Sequence, residues 1–319
     1  MTDTGPLFVS SGDLIADRRY KWALDHAARG DFSGAAEILA QTVDLAPRFA
    51  TAWFALGAIR DRLGDRDGAV AAFVHARDAD PEDYHGARLQ LARLGAGAAT
   101  PAMTETYVRR LFDQYAGRYD AALTEHLNYR GPAILTSAVE AAMRAADWSN
   151  SRRPMHFAAM LDLGCGTGLA GAAFRPFVDR LVGVDLSPAM IAKAEAKGLY
   201  DRLVSAGLAD FLGEEAARDA KYDLVIAADV FVYINDLAQV IDACARILAP
   251  EGLLAFTVET HSDAGTKLLP TLRFAHGEAT LRAAMTAAGL TPLTIEAAMV
   301  RTEKDEPVEG LVVVAACQA

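Results

Sequence analysis

Ala158-Ala-Met-Leu-Asp162-Leu-Gly164-Cys-Gly166-Thr-Gly168-Leu169 is the stretch on which the reading of this 319-residue chain turns. Its first half is a short apolar run, which fits a buried strand. Its second half sets three glycines on alternate positions before a helical pattern opens at Leu169. Glycine tolerates the left-handed backbone of a tight turn and lets a ligand press on bare main chain at a helix start. A dinucleotide turn of the Gly-x-Gly-x-x-Gly kind would place its third glycine one residue later, so a nicotinamide or flavin site is the rival reading. Twenty-one residues beyond Gly164, at the end of the next apolar run, stands Asp185, placed to accept two ribose hydroxyls; Ser187-Pro188 follows as helix N-cap and first-turn proline.

Outward from that turn, apolar runs recur at 158–163, 181–184, 203–206, 224–227, 253–258 and 311–316, with helical segments between them. Continuous apolar runs are what parallel strands buried on both faces require, so the expectation is a doubly wound α/β sheet. Arg301 to Pro307 is polar and ends in proline, and it reads as the turn of a closing antiparallel hairpin.

The N-terminal third has a different period. Trp53, Leu56-Gly57, Gly64, Ala69, Phe73, Ala76 and Pro81 fall where a 34-residue helix-turn-helix repeat places its packing residues. One period earlier stand Trp22-Ala23, Gly30, Ala35, Leu39 and Pro47. This resembles a pair of tetratricopeptide repeats, with a capping helix near 84–94. The small residues of Gly95 to Pro101 read as a linker. The expected domains are therefore an all-α repeat domain over 1–95, a linker over 96–102 and a catalytic domain over 103–319. Two repeats are few for a self-sufficient solenoid, so the helices should gain stability from the rest of the chain or from a second subunit, a possible homodimer.

Composition narrows the class. With 31 basic against 42 acidic residues the net charge is −11, which repels nucleic acid and anionic membrane surfaces. Cys165, Cys244 and Cys317 are an odd, scattered set without a Cys-x-x-Cys pair, as expected of reduced thiols in a cytoplasmic protein. The N-terminal stretch has no basic region of a leader, and no apolar run approaches the ~18 residues of a membrane span. The seven histidines show no metal-ligand spacing, so no metal is expected.

Asp162 two residues before the first glycine, the glycine turn and Asp185 together resemble the donor loop of class I S-adenosylmethionine-dependent methyltransferases. The resemblance extends to Phe112-x-x-Tyr115-Ala-x-x-Tyr119-Asp120, Tyr222-Asp223 through Asp229-Val230, and Leu269-Pro-x-x-Arg273-Phe-Ala-His276, as in bacterial methyltransferases carrying tetratricopeptide repeats. It implies a Rossmann-like seven-stranded sheet and S-adenosylmethionine as cofactor, leaving S-adenosylhomocysteine as product. It also implies cofactor contacts from Asp162, Gly164, Cys165, Gly166, Gly168, Asp185 and Leu186. Tyr115 and Tyr119 would fold over the cofactor, Met190 would pack on adenine, and Asp229 would lie near the methionine end. For each tyrosine, ordinary core packing is the alternative. Cys165 between glycines is read as a small filler whose backbone N–H matters rather than as a nucleophile. Where related chains place an acid for the adenine amino group, this one has Gly207; backbone around Ala206 and Leu208, or Asp210, would serve instead.

The acceptor is read from the segment after the fifth strand, at the end of the sheet where open α/β folds bind ligands. His261 and His276 are candidate bases and Arg273 a candidate anchor for a carboxylate or phosphate, each with a structural role as alternative. Tyr107, Phe231 and Tyr233 would line the wall. That points to a small anionic or phenolic metabolite methylated on oxygen or nitrogen. Asp229 is followed by Val230-Phe231 rather than the Pro-Pro-Tyr/Phe that would hold a planar amine. Two alternatives stand beside this: a protein methyltransferase recruiting a peptide or protein partner through the repeats, and an inactive interaction protein.

Overall fold

The computed structural model describes residues 8–98, 103–117, 119–121, 129–145, 155–303 and 306–317. Part of the expected linker, 99–102, and the tip of the C-terminal hairpin, 304–305, lie outside the described residues. The chain divides into two compact units, Met1–Tyr107 and Val108–Ala319.

The first unit holds α1 (Leu14–Ala28), α2 (Phe32–Leu45), α3 (Ala50–Arg62), α4 (Arg66–Ala79) and α5 (Ala87–Arg93). α2 and α4 begin and end 34 residues apart, and their starts are built alike. Gly30 and Gly64 take φ of +83° and +80°, and Asp31 and Asp65 accept the N–H groups of Gly34 and Gly68 at 2.9 and 3.0 Å. The same period therefore sets both the turn and the cap. Tyr20, Leu39, Leu56 and Phe73 are buried, whereas Trp22, expected to pack in the first repeat, is 56% exposed. Tyr20, two residues earlier, fills that core against Phe49 at 5.5 Å between ring centroids.

The second unit begins within α6 (Glu105–Tyr115) and continues through α7 (Tyr119–Ala121) and α8 (Gly131–Ala145). Then follow β1 (Phe157–Leu163), α9 (Leu169–Phe174), β2 (Val178–Asp185), α10 (Pro188–Ala196), β3 (Arg202–Ser205), α11 (Leu208–Ala217), β4 (Tyr222–Ala227), α12 (Leu237–Ile247) and β5 (Leu248–His261). β6 (Thr266–Leu268), β7 (Phe274–Gly277), α13 (Glu278–Ala287), β8 (Leu290–Glu303) and β9 (Glu306–Cys317) complete it.

The sheet order is β3-β2-β1-β4-β5, all parallel, with β9 antiparallel to β5 and β8 antiparallel to β9. Six of those seven strands fall on the expected apolar runs, and β8 and β9 form the closing antiparallel hairpin, with Arg301 inside β8 rather than in its turn. Among the described residues the sheet nevertheless has nine strands rather than seven. β7 pairs in parallel with the last residues of β5, and β6 pairs with β7. Strands of three and four residues carrying Lys267 and His276 have neither an apolar run nor a sustained alternation to betray them. Apolar clusters cover both faces of the sheet: one includes side chains of α11, α12 and α13, the other those of α8 and α9. No described helix is long and apolar enough to cross a membrane.

Tyr200, between α10 and β3, organises the start of the sheet. A Cβ at Gly183 would stand 2.7 Å from its ring and 2.8 Å from Leu203 Cδ2, and Gly168 and Gly171 face the same ring. Its hydroxyl donates to Asp162 Oδ2 at 2.7 Å. Burial pushes the Asp162 carboxyl up to about 7, and the Tyr200 hydrogen bond only partly opposes it.

Two consequences are measurable. Gly183→Ala overpacks the Tyr200 cradle and should lower stability by about 1–3 kcal/mol, read as a lower thermal midpoint with the helical signal retained. The folded state holds the Asp162 proton to a higher pH than the unfolded chain, whose ordinary value is 3.8. Between those values the native state binds the extra proton, so this group's contribution to stability is present below pH 3.8 and lost as pH rises towards about 7. Urea unfolding at several pH values across that window should show Asp162→Asn losing less stability with rising pH than the parent chain; parallel curves would reject the assignment.

Candidate active site

The turn after β1 is left-handed three times, with φ of +60° at Gly164, +53° at Gly166 and +89° at Gly168. Gly164 is required twice over, because a Cβ there would stand 2.5 Å from Val230 Cγ2. At Gly166 the surroundings open, with only the Tyr119 ring at 3.8 Å from a Cβ position. The turn is tied to the neighbouring strand. Cys165 N donates to Val184 O at 3.0 Å, and Gly166 N to Asp185 Oδ2 at 2.9 Å. The other Asp185 oxygen accepts Ser187 N at 2.8 Å. Burial pushes Asp185 up to about 6 while those two N–H groups pull it down. The Cys165 thiol is buried and pushed well above its ordinary value, chiefly by desolvation, which suits a filler and not a thiolate nucleophile.

A cleft opens on this turn. Its lining gathers Tyr119, Asp162, Gly164, Cys165 and Gly166 from the expected set and adds Tyr129, Thr167, Leu169, Ala170 and Ala228. One buried oxygen of Asp162, Oδ1, meets no hydrogen-bond partner among the described residues. Tyr129 carried no motif in the sequence; it precedes α8, where a lone tyrosine gives no signal. Asp185 and Gly168 flank the lining. Leu186 is half-buried beside Asp185, and Met190 is fully buried, its N–H capped by Ser187 Oγ at 3.1 Å. Gly207 caps α11 in an extended conformation, Leu208 begins that helix half-buried, and Asp210 stands exposed in its first turn.

α6 and α7 attach to this end of the sheet by polar contacts. Asp113 accepts from Ser187 Oγ at 2.5 Å, and Asp120 accepts from the Thr167 hydroxyl and from Lys197 Nζ at 2.8 Å. Phe112 meets Tyr119 and Tyr233 edge-on, with centroids 6.1 and 5.3 Å apart. Tyr119 is held neutral by burial and by the nearby Asp229 charge. Tyr115 ends α6 half-buried and outside the cleft lining.

Beyond β4 lies a buried charge cluster. Asp229 takes φ of +59°, with its N–H donating to Thr257 Oγ1 at 2.9 Å. Arg301 Nη1 donates to Asp229 Oδ1 at 2.5 Å and Nη2 to Glu259 Oε1. Arg273, 7% exposed, stands 3.5 Å from the same Glu259 oxygen and 5.9 Å from the Tyr233 ring. The expected single cationic anchor is thus a guanidinium already engaged by an acid. Arg301 was read as a turn residue; it is buried at the site instead.

The two histidines separate. His276 is 1% exposed and pushed down to about 4 by desolvation. Its Nε2 lies 3.3 Å from the Phe231 carbonyl, which accepts, and its Nδ1 lies 3.2 Å from Thr266 Oγ1. A neutral ring bonded at both nitrogens braces β7 against the segment after β4 and has no lone pair for an acceptor's proton. His261 uses Nδ1 to accept Asp263 N at 3.2 Å, leaving its proton on a buried Nε2 that has no partner among the described residues. Among the described residues no three His, Cys, Asp or Glu side chains form a metal-ligating group.

Residues 161–256 match the family described as a methyltransferase domain. Human (Homo sapiens) methyltransferase-like protein 27 is 34% identical over 110 residues, 34% of this chain and 40% of that protein. The ubiquinone biosynthesis O-methyltransferase of Xylella fastidiosa (strain 9a5c) is 32% identical over 109 residues, 34% of this chain and 44% of that protein. The chain thus spans about two fifths of the length of the curated relatives it matches. The magnesium protoporphyrin IX methyltransferase of Synechocystis PCC 6803, solved with bound SAM, is 17% identical, covers 67% of this chain and 97% of its own, and superposes with a TM-score of 0.47. The match over 161–256 runs from the end of β1 into β5, so the part of this chain that carries the glycine turn and the acid ending β2 is the part similar to a methyltransferase domain.

Proposed function

We propose that the chain transfers the methyl group of S-adenosylmethionine to the oxygen of a small phenolic acceptor. The observation that carries the donor half is the glycine turn stitched to Asp185 beside a cleft lined by Asp162, whose buried Oδ1 has no hydrogen-bond partner among the described residues. The residues fit the donor: bare main chain at Gly166, a carboxylate at Asp185 with lone pairs left for ribose hydroxyls, and Tyr119 and Tyr129 as aromatic cover. Asp229 is the acid for the methionine end. When bound, the donor supplies an electrophilic methyl on a sulfonium. The chain's own residues align it and exclude water, worth up to ~7–11 kcal/mol as effective molarity.

On the acceptor side, His276 has no lone pair to offer and the Nδ1 of His261 is occupied. An acceptor that ionises readily fits such a site better than an aliphatic alcohol, and a phenol, at about 10, is of that kind. A carboxylate would compete with Glu259 for Arg273, which favours the phenolic over the anionic acceptor. Phe112 and Tyr233 offer aromatic edges for its ring. The relative named as an O-methyltransferase supports oxygen as the acceptor atom.

Incubating the protein with methyl-labelled S-adenosylmethionine and a cell extract, then separating small molecules from protein, tests the reading directly. Label should enter aromatic hydroxyl compounds in the small-molecule fraction; label confined to protein would favour a protein acceptor instead. In calorimetry, Asp185→Ala should weaken S-adenosylhomocysteine binding about tenfold or more, because two ribose hydrogen bonds at about 0.5–1.5 kcal/mol each go with it. An unchanged affinity would remove Asp185 from the donor site.

A further inference from the structure

The end of β8 breaks its alternation. Met299 is 43% exposed, yet Val300 and Arg301 are both buried. Pairing with β9 slips at the same place, from Met299 opposite Glu309 to Thr302 opposite Pro307. Three steps on one strand against two on its partner make a β-bulge, and a bulge re-aims a side chain that the regular pleat would send elsewhere. Here it leaves a guanidinium only 2% exposed. That group bridges Asp229, after β4, to Glu259, near the end of β5. The carbonyl of Val300 accepts Arg130 N at 2.8 Å, so the bulge also fastens the chain next to Tyr129, a wall of the cleft.

We propose that Arg301 is a positioning residue for donor binding, its bridge from Glu259 holding the Asp229 carboxylate oriented beside the donor cleft. The inference rests on the donor reading above. Six groups face or adjoin Asp229: Glu259, Arg273 and Arg301, and the hydroxyls of Tyr119, Tyr129 and Tyr233. The tyrosines are pushed upward and stay neutral, and guanidiniums stay charged, so the two carboxylates are the groups on which loss of Arg301 acts. Without Arg301, two desolvated acids face the single cation of Arg273. Desolvation and mutual repulsion both favour a proton on one of them. A protonated Asp229 no longer attracts the ammonium of the donor's methionine end, so donor affinity acquires a pH dependence that the bridged pair lacks.

The test is the dissociation constant of S-adenosylhomocysteine, measured by calorimetry from about pH 6 to about pH 8.5, a range that brackets the shifts expected of buried acids. The parent chain should bind with little change across it. Arg301→Met should bind about tenfold weaker at the acid end, the effect of one displaced titration unit, and recover towards the parent as pH rises. Adding Glu259→Gln to it removes the second negative charge and should restore a flat profile. Arg301→Lys, a single point charge that cannot bridge both acids, should fall between the two, and it carries the test if the methionine variant does not fold. A lysine or methionine variant matching the parent at every pH would overturn the inference, as would a uniform loss that Glu259→Gln fails to rescue. A parent chain that binds no S-adenosylhomocysteine would overturn the donor reading itself, a result distinguishable from either.

Discussion

The second unit's active end depends on one carboxylate. Asp185 closes β2 and offers one oxygen to the Gly166 N–H of the neighbouring turn and the other to the Ser187 N–H of its own. Two loops that a parallel sheet merely brings near each other are thereby locked at a defined separation. The lock explains why the glycine turn can afford three left-handed residues in five, since each has little stability of its own and the pair of hydrogen bonds selects that conformation from many. It also sets where α10 starts. Ser187, fixed by Asp185, caps Met190 N and donates to Asp113, so the register of α6 against the sheet follows from the same group.

The buried charges after β4 follow a different logic. Asp229, Glu259, Arg273 and Arg301 are two acids and two bases, neutral in sum, gathered from four separate segments. A buried ion pair seldom stabilises more than well-packed apolar residues would, since desolvation takes back most of the Coulomb gain. Its value lies in geometry. Each guanidinium presents donors in a fixed plane, so Asp229, already in a left-handed backbone conformation, has its carboxylate orientation defined as well. The bulge in β8 and the φ at Asp229 are two local departures from regular geometry that meet at one pair of atoms.

Legibility in the sequence tracks how local the determining physics is. The glycine turn, Asp185 and the parallel strands were readable because apolar runs and obligatory left-handed positions are properties of a few consecutive residues. The 34-residue offset was readable for the same reason, since Gly30 and Asp31 recur as Gly64 and Asp65. β6 and β7 were not, being too short for either period. Arg301 was read as part of a polar turn because a bulge inverts the expected facing without altering residue types. His276 was singled out for its ordinary pKa, which says nothing of the burial that pushes it down to about 4. Tyr129 and the pairing of Arg273 depend on long-range contacts alone. Trp22 stands at a repeat position yet is 56% exposed, while Tyr20 fills the core of the first repeat.

Costs and function coincide at the carboxyl end of β1, β2 and β4. Asp162 and Asp185 are both pushed up by burial, with no guanidinium against either, and Asp162 keeps one oxygen unpaired. Three glycines and Asp229 hold positive φ within the same neighbourhood. At the other end of the sheet the buried acid is paired instead: Glu215 accepts from the Tyr222 hydroxyl at 2.5 Å and from Arg202 at 2.6 Å. A buried oxygen left unsatisfied, as Asp162 Oδ1 is among the described residues, carries a penalty on the order of 1–3 kcal/mol, relieved when a ligand brings a donor to it. Ligand binding is then the step at which the penalty is recovered, so the donor cleft should gain affinity from the same desolvation that lowers the stability of the free chain.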